Sequence, residues 1–187
     1  MGKDRNIESN HFKNIDQMIN YVDGDLIKLA KKGQFDVIAH GCNCFCQMGA
    51  GIAPQMAKEF MCNDSEKYPG ESTTYPDRKG DMSKLGTIET WSWYIFNEEG
   101  IRKRLDVVNA YTQYKYGRNH ADGDKSPVDY AAIEICMKKM NHRFKGKHIG
   151  LPKIGAGLAG GDWNHIELII NNELRDCQVT VVNYKPE

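Results

Sequence analysis

Predicted strands and helices alternate along the chain, and two glycine-rich stretches each follow a strand and open a helix; together these predict an α/β sandwich with helices on both faces of a mixed, mostly parallel sheet. At 187 residues with 40% hydrophobic composition, the chain is long enough for one well-buried core and short for two. Residues 1–17 lack apolar periodicity and read as an N-terminal extension, so the domain is expected over 18–187.

Ile19–Val22 reads as a short strand, 25–32 as a helix with an acidic start, and Phe35–His40 (FDVIAH) as a buried strand running into the first glycine stretch. Gly51–Phe60 has helical spacing, with a proline in its first turn where a missing N–H does little harm. Residues 61–84 are polar and rich in turn formers and read as a long surface excursion. Thr87–Ile95 and Leu105–Tyr111 are β-branched and aromatic, separated by the turn NEEG at 97–100. Apolar residues at 128, 131, 132, 135, 136 and 140 outline a helix over 127–140, with Pro127 suited to its first position. The chain closes with a strand at 148–154, a helix at 163–174 and a strand at 179–184.

HGCNCFCQMGAGIA (40–53) and LPKIGAGLAGGDW (151–163) share one design: a strand ends, glycines follow, a helix begins. Glycine lets backbone N–H groups approach a ligand, and a helix N-terminus presents partial positive charge. Two such loops at one sheet edge would cradle a diphosphate. Neither carries the lysine of a P-loop, so triphosphate hydrolysis lacks its usual point charge. GAGLAG (155–160) also fits the dinucleotide fingerprint G-x-G-x-x-G. Too little chain follows for a substrate domain, however, and the last strand, VTVVNY, offers no acid for a ribose, which weighs against a nicotinamide-dependent oxidoreductase. Glycines that merely make tight turns remain the bland alternative.

YVDGDL, AHGCNCFCQMGAGIA and LPKIGAGLAGGDW, in this order and at these intervals, resemble the macro domain family over about residues 19–185. The likeness is greatest to the branch of the ADP-ribose 1''-phosphate phosphatases, yeast and phage versions included, and the terminal ADP-ribose protein glycohydrolases. The resemblance implies a three-layer α/β/α sandwich with ADP-ribose lying across the C-terminal strand edges. It implies adenine recognition by Asp25, with Leu26 beside it; Asp25 would equally serve as a helix N-cap. It further implies that Asn43 positions the distal ribose, that the backbone of Gly49, Ala50, Gly51 and Ile52 holds one phosphate, and that Gly155, Ala156, Gly157, Leu158, Ala159 and Gly160 hold the other.

Phosphate release from ADP-ribose 1''-phosphate needs a nucleophile, stabilised equatorial oxygens and a proton for the departing sugar oxygen. His40, expected at a strand end facing the distal ribose, titrates near neutrality and is one candidate acid or base. Asp162 is the other, as a water-orienting group or as a plain N-cap. The glycohydrolases resembled here use an acid where this chain has Ala159 and a lysine where it has Gln113, with Lys115 two residues on; the covalent lysine route is accordingly demoted. Tyr111, Tyr114 and Tyr116 could flank the ligand or belong to the sheet.

The 25 basic and 25 acidic residues balance, so phosphate must be held by local geometry, and nonspecific nucleic-acid binding is disfavoured. Cys42, Cys44 and Cys46 do not have structural-zinc spacing, and no arginine precedes Arg78 to complete a cysteine phosphatase loop. No metal or cofactor is called for. The polar N-terminus and the lack of a run near 20 apolar residues predict a cytoplasmic protein with reduced thiols and no membrane partner. Its expected partners are ADP-ribose derivatives, free or attached to protein. The leading expectation is phosphate release; the alternatives are an ADP-ribose reader without turnover and an ADP-ribosyl ester hydrolase.

Overall fold

A computed structural model describes residues 19–62, 80–116 and 127–185. The expected 1–17 extension and most of the 61–84 excursion lie outside these residues. Among the described residues six strands form one sheet: β1 (Asn20–Gly24), β2 (Val37–Asn43), β3 (Ile88–Phe96), β4 (Arg102–Gln113), β5 (His148–Leu151) and β6 (Gln178–Tyr184). Their order is β1-β6-β5-β2-β4-β3. Only the β3–β4 hairpin is antiparallel, closed by the Asn97 side chain, which accepts from Glu99 N and Ile101 N at 3.1 and 2.7 Å.

The buried side chains divide into two clusters, one on each face of the sheet. α3 (Tyr130–Arg143) and α4 (Trp163–Glu173) cover one face through Ile133, Met137, Met140, Ile166 and Ile170. α1 (Leu26–Lys31) and α2 (Ala53–Phe60) cover the other through Leu26, Ala30, Met56 and Phe60, packed on Ile38, Leu105 and Tyr111. Strands β2 and β4 contribute to both clusters, because side chains in a strand alternate between faces. The sandwich therefore has three layers, as expected. Among the described residues no helix is long and apolar enough to cross a membrane.

Three local readings change. β2 continues to Asn43 because its pairing with β4 runs on through a bulge at Cys42/Asn43, which leaves His40 inside the strand opposite Asn109. α3 starts at Tyr130: Val128 bridges Gln113, Val128 N and Asp129 N donate to Ala159 O and Thr112 O, and the Asp129 carboxylate caps Ala132 N at 2.9 Å. Pro127 therefore precedes the helix, and Ile133 and Met137 replace the exposed Ile135 on its inner face. β5 ends at Leu151, because Pro152 has no N–H to continue the ladder.

Candidate functional site

The parallel strands β1, β6, β5, β2 and β4 deliver their C-terminal ends to one edge of the sandwich, where the two glycine loops face each other. Three adjoining cavities follow that edge. The first, about 340 Å³, is lined by Asp25, Leu26, Gln55, Val182 and Tyr184 with Gly51 and Ile52. The second, about 230 Å³, lies between the loops, against Gly41, Ala50–Ala53, Gln113 and Pro152–Gly155, with Gly157, Leu158 and Ala159. The third, about 330 Å³, is lined by Asn43, Gln47, Gly49, Gln113 and Tyr116 with Leu158. Shared walls at Gly51, Ile52 and Pro152, then at Gly41, Ala50 and Gln113, make them one cleft.

The helix ends along this edge are not alike. Asp25, Asp129 and Asp162 cap α1, α3 and α4 with their carboxylates, whereas the N-cap of α2 is Ile52, which gives no side-chain hydrogen bond. Gly51 turns the chain into α2 with φ of 64°, a conformation open to glycine at low cost. Pro54 needs no acceptor in the first turn. The N–H groups of Gly49, Ala50, Gly51 and Ile52 donate to no acceptor among the described residues. An uncapped helix N-terminus preceded by open amides has the geometry and the dipole to accept an anion.

The second loop is more self-contained. Gly160 N and Gly161 N donate to Gly157 O and Gly155 O at 3.0 and 2.8 Å, and Asp162 N donates to the Tyr130 hydroxyl at 2.9 Å. Gly155 has φ of 75°, and a Cβ there would lie 2.9 Å from Val128 Cγ2, so this glycine serves packing. Gly157 faces open space. Ala156 and Gly160 do not line the cleft, while Gly155, Gly157, Leu158 and Ala159 do.

Asp25 accepts from Ile27 N and Lys28 N through Oδ1, at 2.9 and 3.0 Å. Oδ2 has no partner among the described residues, so capping leaves an acceptor for the first cavity. Asn43 is held by its own loop: Nδ2 donates to Gln47 O at 2.8 Å, and Oδ1 accepts from Phe45 N and Gln47 N at 3.1 and 3.2 Å. It shapes the third cavity while its amide is largely satisfied. Tyr111 is buried with its hydroxyl donating to Glu89, Tyr114 packs on Phe45, and of the three tyrosines only Tyr116 lines the cleft.

The two expected catalytic groups lie elsewhere. His40 is fully buried and lines none of the three cavities. Its Nε2 lies 2.7 Å from Asn109 Oδ1, and Asn109 in turn donates to Cys62 O at 2.5 Å, so the ring proton sits on Nε2. Burial pushes its pKa down to about 4 against the opposing hydrogen bond, leaving it neutral at pH 7. Asp162 is the exposed N-cap of α4, accepting from Asn164 N at 3.0 Å, and also lies outside the cavities. Burial holds the Cys42 thiol well above its ordinary range, so it is not a ready nucleophile. Gln55, Lys153, Val182 and Tyr184 line the cleft without having been expected there. Lys153 could have been noticed, standing inside the second glycine motif; Tyr184 could not, because only the β1–β6 pairing sets it beside Gly24.

An α/β/α domain with a cleft of this shape across its C-terminal strand edges is the architecture of macro domains. The macrodomain of Thermus aquaticus DarG superposes with a TM-score of 0.57 at 20% identity, covering 90% of this chain and 99% of that one. No family model matches the sequence. A phage T4 protein, described only as an uncharacterized 17.5 kDa protein of the tk-vs intergenic region, is 30% identical over 174 residues, 90% of this chain and 98% of its own. A Debaryomyces hansenii protein named ADP-ribose 1''-phosphate phosphatase is 29% identical over 175 residues, 82% of this chain and 93% of its own. The chain belongs to the macro domain family, in the branch of these phosphatases.

Proposed function

We propose that the chain binds ADP-ribose along this cleft and releases phosphate from ADP-ribose 1''-phosphate. The observation that carries the binding is the uncapped N-terminus of α2 at the middle of a three-part cleft. Adenine would enter the first cavity between Val182 and Tyr184, its amino group donating to the open oxygen of Asp25. The diphosphate would take N–H groups of residues 49–52, with Gly157 and Leu158 opposite. The distal ribose would reach the third cavity beside Asn43 and Tyr116. Backbone recognition suits a chain with no net charge.

The phosphatase step rests on the yeast relative's name together with the third cavity, which is rich in amides. Gln113 donates from Nε2 to Lys115 O at 2.8 Å, which leaves its carbonyl oxygen as the acceptor that would orient an attacking water. Neither buried His40 nor Asp162 is assigned a proton transfer. A second reading, binding without turnover, is favoured by the lining of the third cavity, where the described residues include no His, Cys, Asp or Glu.

Calorimetry with ADP-ribose, beside an assay of phosphate release from ADP-ribose 1''-phosphate, separates these readings. Micromolar affinity, about 8 kcal/mol, is expected for a preorganised site of this kind. Binding with phosphate release supports the full proposal, and binding alone leaves the reader function. Folded protein that gives no heat at millimolar ADP-ribose would contradict both.

A further inference from the structure

Among the described residues lining the three cavities, only Asp25 and Lys153 carry a formal charge at pH 7. Asp25 belongs to the adenine end. Lys153 borders the cavity between the loops, where the diphosphate is proposed; it is exposed and forms no ion pair among the described residues. Its ammonium instead lies 5.9 Å from the centroid of the Trp163 ring. That ring is fixed: Trp163 Nε1 donates to the Tyr21 hydroxyl at 3.0 Å, and Tyr21 donates to the Glu167 carboxylate. The backbone of Lys153 is also fixed, its carbonyl accepting from Ala156 N at 3.2 Å. A four-carbon stem on a fixed backbone, resting on an aromatic face rather than on a carboxylate, can leave that rest at little cost.

We infer that Lys153 is the ligand-responsive cation of the cleft, moving from Trp163 to a non-bridging oxygen of the bound diphosphate and favouring anionic over neutral adenine ligands. This rests on the ADP-ribose reading above. The backbone amides supply direction and partial charge, and Lys153 supplies the full unit charge that a neutral cleft otherwise lacks. A single cation contact of this kind makes affinity dependent on salt, whereas a neutral nucleoside in the first cavity does not feel it.

The test measures ADP-ribose and adenosine affinity by calorimetry for the wild type, Lys153→Ala and Lys153→Arg, at low and at moderate salt. Thermal melting serves to show that the variants are folded. Lys153→Ala is expected to weaken ADP-ribose about tenfold at low salt, to flatten the salt dependence and to leave adenosine unchanged, with Lys153→Arg restoring most of the loss. If the wild type binds ADP-ribose and Lys153→Ala binds it equally well with the same salt dependence, the inference is overturned while the binding reading stands. Equal weakening for adenosine and ADP-ribose would overturn it too, by assigning Lys153 to cleft structure. If the wild type itself does not bind ADP-ribose, the binding reading falls and takes this inference with it.

Discussion

The two glycine loops look interchangeable in sequence and differ in structure. The first delivers the chain to α2 with no carboxylate at the helix start, leaving the amides of residues 49–52 open. The second closes on itself through Gly160 N and Gly161 N and hands over to α4 under the Asp162 cap. A helix N-terminus satisfied by its own aspartate has little left to offer an anion, because the cap occupies its amides and screens its dipole. Glycine content marks where backbone can come close, while the residue at the N-cap decides whether that backbone is free to bind.

Placing a carboxylate at the open helix end should erase the difference. Ile52→Asp is expected to weaken ADP-ribose at least a hundredfold, about 2.7 kcal/mol, through repulsion and competition for the same amides. Thermal melting should show the protein still folded, and calorimetry should show the loss. Retained micromolar affinity would move the diphosphate away from α2.

The strand feeding the first loop should respond to acid. His40 has a folded pKa near 4 and an ordinary value near 6.5, so the unfolded chain takes up the proton first as pH falls. The stabilisation from keeping His40 neutral is complete above about pH 6.5 and is lost as the pH falls toward 4. Between pH 7 and 5 the loss is roughly 2 kcal/mol. The His148 pKa is also lowered, mainly by burial, and adds in the same direction. Chemical denaturation across this range should show the decline, and His40→Gln, though destabilised at neutral pH, should show a shallower one. A slope unchanged by the substitution would show that His40 does not set the acid sensitivity.

Smaller effects are expected on the second loop. Asp162→Ala should lower stability by about 1 kcal/mol through loss of the cap, with ADP-ribose affinity within about twofold. A hundredfold fall in phosphate release from the folded variant would restore Asp162 to the chemistry. Gly157→Ala adds a methyl where nothing lies within 4 Å, so melting should be unchanged. Because Gly157 borders the middle cavity, the methyl should reduce affinity only several-fold, about 1 kcal/mol.

Much of the fold is legible in the sequence because it depends on local signals. The strand FDVIAH, the proline of GIAPQMAKEF and the aspartates at 25 and 162 locate elements to within a few residues. The glycine motifs likewise locate the cleft. What escapes is decided by pairing between distant segments. Nothing in VIAHGCN says that β4 extends β2 past His40 and seals the ring against Asn109. Nor does the sequence say that Tyr184 comes to border a cavity with Asp25, or that the Asn43 amide turns back on Phe45 and Gln47.

Amide-resolved NMR during an ADP-ribose titration would show whether the open amides before α2 hold the diphosphate. The largest shifts are expected at Gly49, Ala50, Gly51 and Ile52, with smaller ones at Gly157 and Leu158 and little change at Gly160 and Gly161, whose N–H groups are already bonded. Saturating shifts centred on Gly160 and Gly161, with residues 49–52 unmoved, would place the diphosphate on the second loop and not at α2.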